Sequence, residues 1–116
     1  MAAQCTTCHM TRLLGGSMAQ KLGLVRPVET EDKGRFEHSN KPGDEYMFKV
    51  PSLLNVAKTG PYYHDGSMKT LEEAVRHMAK HQVAIPVSDA QIKSILAFLE
   101  ALTGEVEDPS LLTEPN

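Results

Sequence analysis

The heptapeptide QCTTCHM, residues 4–10, places the chain's two cysteines three apart with a histidine directly behind the second. Three chemistries use such a pattern. A redox-active dithiol needs a strand running into a helix within a parallel βαβ unit, and no strand-like run precedes Cys5. A structural zinc site needs two further ligands. His77 and His81, four apart, are available for it, which would make the chain a zinc-stabilised interaction module. Covalent haem c attachment needs only C-x-x-C-H itself. Two thiols three apart on one helical turn reach the two vinyl edges of a porphyrin as thioethers. The imidazole of the next residue then lies under the ring, facing the iron. The spacing predicts Cys5 and Cys8 as covalent anchors of one haem c and His9 as its proximal ligand.

The opposite face of such a haem calls for a second decision. Met78 is the leading candidate, as a soft, neutral thioether at the end of an amphipathic run, and Met/His ligation raises the reduction potential. Most helical methionines fill cores; it is the haem motif that changes the weight here. His81, one turn on, is the nearest rival, and His64 in YYHDG comes next. His64 also suits a polar contact at a haem edge or its propionates. Arg35, Lys49 and Lys69 read as surface charges able to pair with a propionate, and His38 and His77 as solvated.

Two helices must position these groups. One opens at Thr70, with Glu73 at capping-box spacing, and carries Leu71, Ala74, Val75 and Met78 on one face. The other opens at Ser88, with Gln91 three residues on. It runs through Ile92, Ile95, Leu96, Leu99 and Leu102 towards Gly104, which reads as the residue just past its end. Phe98 and Ala101 widen that stripe, so this helix is expected to pack on two sides. Pro51 suits the first turn of a short helix over PSLLNVAK, and YMFKV is the one strand candidate. The stretch Arg26–Val50 reads as a long irregular excursion. Residues 106–116 read as a flexible tail after a haem domain spanning 1–105. The expected class is all-α with long loops.

The bulk numbers agree with a single domain burying roughly two thirds of its unfolded surface. The 116 residues carry a net charge of −3, which lacks the basic stripe of a nucleic-acid binder. No apolar run reaches the roughly 18 residues of a membrane span, and no basic region followed by an apolar core marks a signal peptide. Aromatic residues make up 5%, with no tryptophan, beside 6 methionines and 5 histidines. So thin a supply of large side chains suits an interior filled by a flat cofactor.

Read along the chain, CTTCH, LLGG, QKLGLVRP, DKGRFE, YMFKVPSLLNVAKTGPYYHDGSMKTLEEAVRHMAKHQ and SDAQIKSILAFLEALTGE resemble one family. It is that of the bacterial dihaem cytochrome c peroxidases, and within them the C-terminal, electron-accepting haem domain. The likeness runs from Cys5 to about Glu105, and FKVPSLLNVA with YYHDGS is its most specific part.

The resemblance implies a class I cytochrome c-like fold with one covalent haem c, proximal His9 and axial Met78. A tyrosine replaces that methionine in the related methylamine-utilisation enzymes. It implies that backbone carbonyls of Thr59 and Pro61 help bind an interdomain calcium, and that Arg35 and His64 lie near the haem and a domain interface. It implies a small electron-donor protein, of cytochrome c or cupredoxin type, and a periplasmic location. The pattern also departs from the family. A second C-x-x-C-H, for the peroxidatic haem domain, is absent, as are the bridging indole and that domain's calcium ligand. The usual helix ahead of C-x-x-C-H is not expected either, since four residues precede Cys5. The wide stripe around Ile92, Ile95, Phe98 and Leu102 would then lack a partner, which predicts a homodimer or a fragment of a working peroxidase.

Overall fold

The computed structural model describes residues 4–113. Its two longest elements are the two helices set by capping boxes. Helix α2 spans Leu71–His81: the Thr70 side chain accepts from the Glu73 N–H, and Glu73 reaches back to the Thr70 N–H. Helix α3 spans Asp89–Ala101, with Ser88 and Gln91 making the same reciprocal pair. The Arg76 guanidinium bonds Glu72 on its own helix and Asp89 at the start of α3, fastening one helix to the other. Helix α1 is a single turn, Phe36–Ser39, inside the charged excursion.

The all-α expectation is corrected by a small sheet. Strand β1, Ala19–Lys21, pairs antiparallel with β2, Met47–Lys49, in the register Ala19↔Lys49, Gln20↔Phe48 and Lys21↔Met47. Bonds from Gly16 N–H to the Val50 carbonyl, Val50 N–H to the Met18 carbonyl and Leu22 N–H to the Tyr46 carbonyl lengthen the ladder at both ends. The strand expected in YMFKV is present. Its partner AQK is too short and polar to show a period-2 signal, and only the long-range pairing makes it a strand.

The short helix expected over PSLLNVAK is not formed; only Val56–Lys58 makes a 3₁₀ turn. The reason lies in where its polar groups go. The Pro51 carbonyl accepts from His9, the Ser52 hydroxyl donates to the Leu13 carbonyl, and the Leu53 N–H donates to the Leu14 carbonyl. The Asn55 N–H, which a helix begun at Pro51 would pair with the Pro51 carbonyl, donates instead to the Leu102 carbonyl, and Asn55 is itself left-handed at a φ of 60°. Gly104 is likewise not the left-handed residue expected at the end of α3. Leu102 ends that helix, and the Asn55 side chain accepts from the Gly104 N–H. Part of the expected tail lies outside the described residues; within it, Pro109–Leu112 forms a 3₁₀ turn headed by Asp108.

The core is thin. Among the described residues the buried apolar side chains are Leu22, Val50, Ala74, Ile92 and Leu99, and Ile92 alone is as little as 2% exposed. Met10, Leu13, Leu24, Leu54, Ile85 and Phe98 stay substantially exposed. The accessible surface is 8334 Å², against about 6,300 Å² expected for a folded chain of this mass. The radius of gyration is 15.3 Å, against about 13 Å expected for this length. The chain buries about 55% of its unfolded surface, less than the two thirds its length predicts.

Candidate haem site

Cys5, Cys8 and His9 are brought together on one tight turn. Cys5–Thr7 is a 3₁₀ turn, and the N–H groups of Cys8 and His9 both donate to the Cys5 carbonyl, at 3.3 and 2.9 Å. The two thiols are half-buried and are not bonded to each other. Burial, the larger effect, raises the Cys5 thiol above its ordinary value against the opposing pull of a backbone hydrogen bond.

His9 is held by its Nδ1. That nitrogen lies 3.2 Å from the Leu14 carbonyl and 3.1 Å from the Pro51 carbonyl. Both partners can only accept, so Nδ1 is the donor and Nε2 is the nitrogen left for a metal. This is the arrangement that orients a metal-binding imidazole and raises its basicity. The Pro51 carbonyl reaches His9 over Gly15, where an added Cβ would stand 2.0 Å from that oxygen, at a φ of +134°. Sequence reasoning passed over Gly15, although LLGG so soon after the histidine was a usable signal.

Met78 sits half-buried on α2, one turn before its end. The residues around it are more ordered than expected. His77, expected to be solvated, is half-buried; its Nδ1 shares a 2.9 Å hydrogen bond with the Tyr63 phenol, and its ring stacks on His81 at 4.3 Å. Burial, then the nearby His81 and Lys80, hold its pKa below the usual histidine value. Burial likewise pushes the Tyr63 phenol up, keeping it protonated. His81 donates from Nδ1 to the Arg26 carbonyl at 2.9 Å.

The other candidates have partners of their own. His64 stacks on Phe48 at 4.3 Å, with its Nε2 3.8 Å from Asp32. Arg35 pairs with Asp44 through Nε and Nη2, at 2.7 and 2.5 Å. It stands with Met18, Met47 and Lys49 at the edge of a cleft of about 430 Å³. Thr59 and Pro61 lie exposed in the loop after the Val56–Lys58 turn, with the Thr59 hydroxyl donating to the Val56 carbonyl. Among the described residues no three His, Cys, Asp or Glu side chains converge, so the zinc arrangement of Cys5, Cys8, His77 and His81 is not assembled. No helix among them is long and apolar enough to cross a membrane.

No family model matches the chain. Individual proteins do. A cytochrome c551 peroxidase of Nitrosomonas europaea is 40% identical over 106 residues, 90% of this chain and 32% of that protein. The cytochrome c551 peroxidase of Pseudomonas aeruginosa is 36% identical over 119 residues, 96% of this chain and 34% of its own length. The chain's homologues are bacterial cytochrome c peroxidases. It spans about a third of the length of the curated relatives it matches. Methylamine utilization protein MauG of Methylorubrum extorquens is 29% identical over 97% of this chain. Among solved structures, a MauG-like protein associated with microbial copper homeostasis superposes with a TM-score of 0.74 at 28% identity. That match takes in 97% of this chain and 45% of the other. The small sheet and few helices are thus those of a cytochrome c-like domain rather than an all-α one.

Proposed function

We propose that the chain is a c-type haem electron-transfer domain of the peroxidase family. Cys5 and Cys8 would hold one haem c, with His9 and Met78 as its axial ligands. The observation that carries the reading is the turn from Cys5 to His9 with Nδ1 tied to two carbonyls, which leaves Nε2 as the nitrogen for the iron. Bound there, the haem would supply one-electron chemistry at iron. The chain's own part is to anchor the ring, hold the imidazole still, and keep a thioether rather than water opposite it. The half-buried apolar side chains around the thin core suit contact with a porphyrin face, which would withdraw them from water.

Held by His9 and Met78, the haem would offer peroxide no open site, and the domain's part would be to pass electrons. The source is a small electron-donor protein, a cytochrome c or cupredoxin, and the compartment is the bacterial periplasm, where thioether attachment takes place. A second reading, that the domain serves a working peroxidase alongside a peroxidatic haem domain, is supported by its matching only a third of each relative. A calcium ion at the Thr59 and Pro61 carbonyls would belong to that larger assembly. The exposed side of α3 around Phe98 suits either that domain or a second copy of this chain.

A reduced-minus-oxidised visible spectrum tests the proposal, with sharp c-type bands expected. Adding peroxide and reduced donor to this chain alone should then give no sustained oxidation; steady turnover would refute the electron-transfer role.

A further inference from the structure

The C-terminal end of α2 is closed by a segment almost sixty residues earlier in the chain. A helix leaves its last four carbonyls without partners inside the helix, and no left-handed residue caps this one; Gln82 follows in a right-handed conformation. Instead the His81 carbonyl accepts from the N–H groups of Val25 and Arg26, at 2.9 and 3.1 Å. The Lys80 carbonyl accepts from the Arg26 guanidinium. The Gln82 side chain bonds in both directions: its Oε1 accepts from the N–H groups of Gly23 and Leu24, and its Nε2 donates to the Lys21 carbonyl at 2.9 Å.

Lys21 is the last residue of β1, and β1 is laddered to β2. Two residues beyond β2 comes Pro51, whose carbonyl holds the His9 imidazole. One two-stranded sheet therefore ties down both the His9 ring and the helix that carries Met78. Through Pro51 it holds the ring of His9, and through Lys21 and Gln82 it holds the helix that carries Met78, four residues before Gln82.

We propose that Gln82 is a positioning residue: by locking the end of α2 to β1 it sets where the Met78 sulfur stands relative to His9. The inference rests on the reading of Met78 as axial ligand. Gln82 touches neither iron nor porphyrin in this role. It acts by denying α2 the slide or fraying that would let the sulfur leave. A thioether is a weak ligand for ferric iron, so small freedom in its helix is enough to break the bond.

The test uses the haem-loaded chain and two readouts of sulfur ligation. These are the far-red sulfur-to-iron charge-transfer band of the ferric protein and the ring-current-shifted methionine methyl resonance of the ferrous one. Gln82→Leu, of similar size but unable to bond, should lose most of the charge-transfer band and show a lower reduction potential, with far-UV circular dichroism unchanged. Gln82→Glu keeps acceptors for Gly23 and Leu24 and loses the donor to Lys21, so its band should be intermediate. Thr70→Ala is the control: it loosens the other end of α2, and should lower the melting temperature while keeping the band. A Gln82→Leu protein with the full band and potential overturns the proposal. So does band loss that merely tracks destabilisation equally in Thr70→Ala and Gln82→Leu. Met78→Leu separates the two layers. If the wild type has no such band and Met78→Leu leaves the spectra unaltered, the ligand assignment itself falls, whatever Gln82 does.

Discussion

Gly15 shows how one missing carbon can fix an imidazole. The space where its Cβ would stand belongs to the Pro51 carbonyl, 2.0 Å away, and that oxygen steadies His9. Gly15→Ala must push the carbonyl aside and also hold alanine at a φ suited to glycine, a backbone cost of about 1–3 kcal/mol. The expected result is a lower melting temperature and less haem per polypeptide, measured by thermal denaturation and the pyridine haemochrome assay. An unchanged haem ratio would show that the Pro51 contact is dispensable. At Met78 the chemistry is electronic. On the proposed ligation, replacing it with leucine would remove the soft donor that favours ferrous iron, so the midpoint potential should fall in a potentiometric titration. An unaltered potential would exclude sulfur ligation.

Among the elements, α2 carries the clearest pH dependence. Glu73 accepts from the N–H of Thr70 at 3.0 Å and of Lys69 at 2.9 Å. These bonds, the Thr70 one foremost, hold its carboxyl below the ordinary value of 4.5. A carboxyl lowered on folding contributes stability above its unfolded pKa and loses it as pH falls through the folded one. Helix content should therefore drop reversibly somewhat below pH 4.5, followed by far-UV circular dichroism in pH steps. Glu73→Gln keeps an acceptor at the same place without a titrating proton, and its loss should be smaller. Equal loss in both proteins would assign the acid transition to other carboxyls, such as Asp44 beside Ser39 and Arg35.

At the scale of the whole molecule, the accessible surface and the thin core point the same way: the polypeptide alone contributes too few buried apolar side chains to close a tight interior. A Cys5→Ser/Cys8→Ser double variant, which cannot anchor haem covalently, should melt lower, bind the dye ANS and lose near-UV circular dichroism while keeping much of its helix. A double variant as stable as the haem-loaded chain would mean the cofactor is not part of the core. The outer side of α3 gives a second prediction. Ile92 and Leu99 face inward and are buried, whereas Phe98 stays 39% exposed. If that face joins two copies, Phe98→Asp should shift sedimentation from dimer to monomer with α3 intact; a wild type that is monomeric at all concentrations would rule the dimer out.

The features legible from the sequence are those whose causes are local. C-x-x-C-H wraps as one turn because only two residues separate its thiols. The two long helices announce themselves because a capping box and an apolar period are both complete within a dozen residues. The failures all involve partners far away along the chain. AQK becomes β1 only because β2 lies beside it, PSLLNVAK is not a helix because the Leu102 carbonyl takes the Asn55 N–H, and His77 is half-buried because Tyr63 meets it. Gln82 shows the same limit: read as a sequence it is one more polar residue after a helix, and only the folded chain brings Lys21, Gly23 and Leu24 to it. Residue order proposed which groups are chemically able to hold a haem; long-range hydrogen bonds, which no local window contains, decided how the His9 ring and the end of α2 are held.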